Sequence, residues 1–444
     1  MPRHVVLLSL PGLREKDLAS MPALTEKTRG GRLAVLSPSF PCVTCSVQAN
    51  MTTGKPPREH GIVCNGIYWR QRHHAEMWTA PNEAVEQSQL WDLLGHQEQG
   101  LTSAVWFPMH SKGCEADYVC TPAPIHNPDG SESLWCYTRP GALYGTLRDT
   151  FGHFPLKHYW GPFTQIAASK WIADSAVYAM REFQPDFFYI YLPHLDYEGQ
   201  RHGPDSPQAT TAAEQLDGLL AGFFAQMEAA STEEVAWIIA GEYAMTPTDH
   251  VVYPNRVLRE AGLLATIESD EGRLIDFART PAWAMADHQC SHVFVRDADP
   301  DTIARVVDVF SKEPGIAEVL HGEALVKYDL DHPRSGEVVL VCEPDSWQAY
   351  YYWMDDADAP AFARTVDIHK KPGYDPVELF FDMETKSIPL EAGLIRGSHG
   401  APAVSAEQKT VLLTSSPDVE VGEHLRDVDV FGVVLAAFGM SIKR

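Results

Sequence analysis

A threonine in the first turn of a helix, an acid after an apolar strand, and histidines in the last third of the chain could together carry chemistry. Pro41 precedes a helical stretch from Cys42 to Thr52, which sets Thr44 in its first turn. Free backbone N–H groups and the helix dipole favour an anion at such a turn. A hydroxyl there has two uses. It caps the helix, or, with its pKa lowered by a metal ion, it attacks phosphorus and leaves a phosphothreonine held by the same N–H groups. Asp196 follows the apolar run Phe187–Leu192, near the end of a strand where open α/β sheets place their sites. His288 and His292 are four apart and share one face of a helix or a strand.

These residues need a scaffold, and short apolar runs alternating with amphipathic stretches predict a parallel sheet covered by helices. Strands are expected at His4–Leu10, Ala34–Leu36, Ser103–Phe107, Phe187–Leu192, Val235–Ala240 and Thr410–Thr414. Helices are expected at Gln89–His96, Lys170–Phe183, Pro207–Ala230 and Val430–Met440. The text changes style from about His292 to Glu343, where a strand at His292–Val295, a helix at Thr302–Ser311 and two further strands at Ile316–Leu320 and Val338–Cys342 predict a small α+β unit. The resulting division is an α/β core over 1–285, an inserted lid or side domain over 286–395, and a return to the core over 396–444. Two long stretches, Cys114–Leu134 and Tyr350–Gly373, read as irregular.

Several motifs then align with one family. Phe40-Pro41, Thr53-Gly54, Pro57, His60-Gly61-Ile62 and Asn65 resemble the nucleophile segment of the nucleotide pyrophosphatase/phosphodiesterase and phosphonoacetate hydrolase branches of the alkaline phosphatase superfamily. The resemblance implies an alkaline-phosphatase-like α/β fold, Thr44 as nucleophile and Asn65 as donor to the phosphoryl oxygen. The run from Pro193 to Pro204 resembles the family's "P-D-x-x-G-H-x-x-G-P", which makes Asp196 a metal ligand but puts Gln200 where a histidine is expected. Gly241-Glu242-Tyr243-Ala244-Met245-Thr246-Pro247 resembles "S-D-H-G-M-T-P", with Glu242-Tyr243 replacing the Asp-His pair. Pro11 stands where the first strand would end in an aspartate.

His399, in Gly397-Ser398-His399-Gly400, matches the family's last metal histidine, and the runs 286–289 and 367–380 resemble bacterial members. His288 and His292 could supply the missing imidazoles. Equally, His292 could open a strand while His288 bonds a backbone carbonyl. The resemblance thus implies a divalent ion, zinc with magnesium or manganese as alternatives, held by Asp196, Glu242, His399, His288 and His292. Tyr243, Gln200 and His369 are the candidate substrate contacts. Arg201, Lys370 and Lys371 are further phosphate partners or plain surface, and Tyr350-Tyr351-Tyr352-Trp353 line a pocket or fill a core. The implied activity is hydrolysis of a phosphate ester, phosphodiester, pyrophosphate or phosphonate through a phosphothreonine. The alternative is an altered member that binds or transfers a phosphorylated small molecule without hydrolysing it. A sulfatase reading fits less well, because Cys42-Val43-Thr44-Cys45-Ser46 lacks the C-x-P-x-R text.

Composition narrows the partners. A net charge of -25 over 444 residues argues against a nucleic acid polymer or an anionic membrane surface, both of which would be repelled. No apolar leader precedes the strand-like Val5–Leu8, and the eight scattered cysteines lack the spacing of a disulfide scaffold. The expectation is a cytoplasmic protein acting on a small phosphorylated molecule.

Overall fold

The computed structural model describes residues 4–79, 81–96, 100–126 and 132–440. Its centre is a nine-stranded sheet in the order His424–Arg426, Leu33–Ser37, Thr410–Thr414, Val235–Ala240, His4–Ser9, Phe187–Tyr191, Ser103–Trp106, Tyr118–Pro122, Cys136–Arg139. The five strands from Val235–Ala240 through Tyr118–Pro122 run parallel, while Thr410–Thr414 and Cys136–Arg139 pair antiparallel to their neighbours. His4–Ser9 and Val235–Ala240 are buried at every position, as a parallel strand covered on both faces must be. Side-chain alternation divides them between two cores. Val6 and Leu8 pack with the helices Ile166–Phe183 and Pro207–Ala230, while Val5 and Leu7 pack with Thr44–Thr53, Leu90–Gly95 and Val430–Ala437.

A second sheet of four antiparallel strands, in the order Ala282–Asp287, Cys290–Val295, Val338–Cys342, Ile316–His321, carries the helix Pro300–Phe310. Its first strand begins before residue 286, so the expected cut between core and side domain falls inside a hairpin. Tyr350 to Trp353 are at most 1 % exposed and belong to this second core, not to a pocket. Within the expected irregular stretch 114–134, Tyr118–Pro122 is a strand of the main sheet, and residues 127–131 lie outside the described ones. No described helix is long and apolar enough to cross a membrane.

The parallel topology fixes where a site can form. Ser9, Tyr191 and Ala240 end their strands at the same edge, so Leu10, the helix His194–His202 and the turn at Glu242-Tyr243 emerge side by side. This is the carboxyl edge where open sheets place ligands.

Candidate active site at the carboxyl edge of the sheet

Thr44 opens the helix Thr44–Thr53, which is buried along its whole length and ends on Gly54 in the left-handed region, φ 65°. A Cβ on Gly54 would lie 2.9 Å from the Phe431 ring, so that residue must be glycine for reasons of space as well as conformation. The Thr44 hydroxyl is 3.1 Å from the Tyr243 hydroxyl. Tyr243 in turn donates to Asp196 Oδ1 at 3.2 Å. Since the tyrosine proton points to the carboxylate, the threonine proton points to the tyrosine oxygen. The Thr44 lone pairs are left facing elsewhere.

Asp196 lies in the helix His194–His202 and receives a second donor one turn on, Gln200 Nε2 to Oδ2 at 2.6 Å. The Tyr374 hydroxyl donates to Gln200 Oε1 at 2.7 Å and so fixes which way the amide points. Burial pushes the Asp196 carboxyl up to about 6, against the opposing pull of His288 and the hydrogen bonds from Tyr243 and Gln200. His399 donates from Nδ1 to the Cys42 carbonyl at 2.7 Å, and its ring stacks on Tyr243 with centroids 3.6 Å apart. Its Nε2 is buried without a hydrogen-bond partner, 3.8 Å from Asp196 Oδ1. Burial, helped by His288, lowers its pKa well below the usual imidazole range and keeps the ring neutral.

Asn65 and His288 meet at Asp287. The Asp287 carboxylate accepts from the Asn65 backbone N–H at 2.8 Å, from Asn65 Nδ2 at 3.0 Å and from His288 Nδ1 at 2.7 Å. Asn65 Oδ1 accepts from the Cys45 N–H at 2.9 Å, which ties the pair to the first turn of the Thr44 helix. The His288 ring stacks on Tyr374 and lies 3.8 Å, centroid to centroid, from His399. Glu242 turns away from this group. Its Oε1 accepts from Ser9 and, at 2.8 Å, from Gln48, and burial raises its carboxyl to about 8. Oε2 has no partner.

The structure therefore gathers Thr44, Asp196, Gln200, Tyr243, His288 and His399, with Asn65 joined through Asp287. His292 is elsewhere. Its Nε2 donates to the Val63 carbonyl and its Nδ1 accepts from the Gly336 N–H, both at 3.1 Å, so neither nitrogen has a lone pair for a ligand. His369 is exposed, with Nδ1 3.3 Å from the Met77 carbonyl. Arg201 pairs with Glu198 and backbone carbonyls, and Lys371 is buried between Asp375 and Glu378. Lys370 lies 3.5 Å from Glu271 at the surface. Four residues to which the sequence assigns no role complete the site: Asp287, Tyr374, Gln48 and Ser9. The only textual signal for Asp287 is that it stands beside His288.

The donors do not fit a two-metal centre. Pro11 offers no ligand, Tyr243 interposes a neutral hydroxyl between Thr44 and Asp196, and both Asp196 oxygens already accept protein donors. Among the described residues no group of three or more His, Cys, Asp or Glu side chains is arranged to hold a metal ion.

A family model described as type I phosphodiesterase / nucleotide pyrophosphatase matches residues 5–375. No curated protein matches the sequence. Among solved structures, phosphonoacetate hydrolase from Sinorhizobium meliloti 1021 in complex with phosphonoacetate superposes with a TM-score of 0.63 at 18% identity, covering 98% of this chain and 96% of that one. Murine ectonucleotide pyrophosphatase / phosphodiesterase 5 gives 0.63 at 14%, with 99% and 96% covered. An inactive threonine-to-alanine form of the murine protein, in complex with AMP, gives 0.63 at 14%, with 100% and 96% covered. At these identities the likeness is one of fold.

Proposed function

We propose, from the premise that the chain belongs to the type I phosphodiesterase / nucleotide pyrophosphatase family, that it cleaves a small phosphodiester, pyrophosphate or phosphonate by attack of Thr44. Members of this family are phosphoric ester hydrolases and metalloenzymes. The observation that carries the reading is the hydrogen-bonded row from Thr44 through Tyr243 to Asp196. Thr44 Oγ1 attacks phosphorus and the bond to the leaving group breaks. The threonine proton moves to the Tyr243 oxygen as the tyrosine proton moves to Asp196. Asn65 Nδ2 keeps one N–H beyond that given to Asp287 and is the donor for a phosphoryl oxygen. In the second step water attacks the phosphothreonine, and Thr44 recovers its proton along the same row. His399 Nε2, neutral and unpartnered, is the acceptor for the water proton. The ligands of the structural neighbours, phosphonoacetate and AMP, and the inactivity of the threonine-to-alanine murine form are in keeping with this assignment.

One observation favours a second reading. No lysine or arginine among the described residues hydrogen-bonds to this group, so a bound phosphoryl group is met by the helix dipole and N–H donors without a side-chain cation of the kind a hydrolase of dianions uses. Such a site suits binding or transfer without hydrolysis. Incubation with a nitrophenyl diester followed by peptide mass spectrometry separates the two. Steady turnover with a phosphoryl adduct on the peptide containing Thr44 supports hydrolysis. An adduct with a single burst of nitrophenol supports transfer. Turnover unaffected by Thr44→Ala overturns both.

A further inference from the structure

We propose that this chain has exchanged the metal centre of its family for a hydrogen-bonded one, and binds no divalent cation beside Thr44. The two residues standing where histidine ligands are expected, Gln200 and Tyr243, both donate to the one carboxylate ligand that is kept. Gln200 Nε2 reaches Asp196 Oδ2 at 2.6 Å and the Tyr243 hydroxyl reaches Oδ1 at 3.2 Å. Loss of ligands alone would leave Asp196, which is 8 % exposed, as an uncompensated buried charge. Here each replacement supplies a donor to the oxygen that a lost cation would have neutralised.

The replacements are themselves held in place. Tyr374 donates to Gln200 Oε1, so the amide presents N–H to Asp196, and turning its oxygen inward would break both bonds. Tyr243 is clamped face to face on His399, with an interplanar angle of 9°. On the other half of the site, the Pro11 side chain has no ligating atom and Glu242 Oε1 is taken by Ser9 and Gln48. What is left for a cation is Asp196, His399 Nε2, Nε2 of His288 and Glu242 Oε2, yet among the described residues no three His, Cys, Asp or Glu side chains are arranged to hold an ion, whereas zinc takes three or four protein donors. The Asp196 oxygens that would have to hold a metal are therefore both satisfied by protein donors.

The inference holds whether Thr44 attacks or only binds, so its test does not use activity. The intact protein, produced in zinc-supplemented medium, is assayed by elemental analysis and then titrated calorimetrically with zinc, manganese and magnesium. The expected result is no stoichiometric metal and an unmoved thermal midpoint. The P11D/Q200H/Y243H variant should acquire zinc and a raised midpoint. Surface histidines provide the control: zinc uptake that persists in Asp196→Ala and His399→Ala lies elsewhere and leaves the proposal standing. Stoichiometric binding that either substitution abolishes overturns it. If the triple variant does not fold, the measurements on the unmodified chain and the two alanine variants decide the matter alone.

Discussion

Glu242 and Asp196 are neighbours at the end of parallel strands, yet they titrate for different purposes. Burial raises Glu242 to about 8 from an ordinary 4.5, and raises Asp196 to about 6. A carboxyl whose folded pKa lies above its unfolded one holds its proton more tightly when folded. Its contribution to stability is complete below the unfolded pKa and is lost as the pH rises through the folded one. The chain should therefore lose stability between about pH 5 and about pH 8, by up to about 1.4 kcal/mol per pH unit from Glu242 alone. Urea denaturation across this range should show that slope in the unmodified protein and a shallower one in Glu242→Gln, which keeps an acceptor for Ser9 and Gln48. Both carboxylates could be found from their place after apolar strands. Their partners could not, because glutamine and tyrosine can each ligate or donate, and only the geometry shows that Gln200 and Tyr243 donate.

At the scale of elements, the hairpin joining Ala282–Asp287 to Cys290–Val295 binds the second sheet to the first. Asp287 holds Asn65 and His288, while Gln289 donates its N–H to the His399 carbonyl and accepts from the Ala401 N–H. Removing the Asp287 carboxylate strands three buried donors, and each costs about 1–3 kcal/mol. Asp287→Ala should lower the free energy of unfolding by roughly 3–5 kcal/mol in urea titration. Asp287→Asn, which keeps one acceptor, should fall between. The strands that carry the main site were visible from apolar runs bounded by turns, and several matched within a residue. Ala282–Asp287 and Tyr118–Pro122 were not, since the first carries three alanines and no β-branched residue and the second ends on a proline. The Asp287 to Asn65 bond spans 222 residues, and no local pattern reports a contact of that length.

Across the whole molecule, 60 acidic against 35 basic residues surround a site that holds the Asp196 and Glu242 carboxyls and the neutral imidazole of His399. An incoming phosphoryl group is opposed by the field of the chain and meets no lysine or arginine hydrogen-bonded to the site among the described residues. A singly charged diester is opposed less than a dianionic monoester. kcat/KM for bis-nitrophenyl phosphate should thus exceed that for nitrophenyl phosphate. The gap should narrow as salt shortens the screening length to about 8 Å near physiological ionic strength. Equal constants at low salt would refute this electrostatic ordering. The class of fold was readable from the alternation of strands and helices, whereas the closure of the site was not. It arises because side chains from both sheets, each unremarkable alone, meet over Thr44 and leave it 3 % exposed.

That closure sets a clock. Thr44 is nearly closed off, and an opening at the hairpin tip that admitted a ligand would sever the bond from the Asn65 amide to Asp287. Hydrogen exchange at that amide counts the same openings that admit a molecule. If that opening is the entry route, turnover on any substrate stays beneath the opening rate read from Asn65, and turnover that exceeds it shows entry by another path.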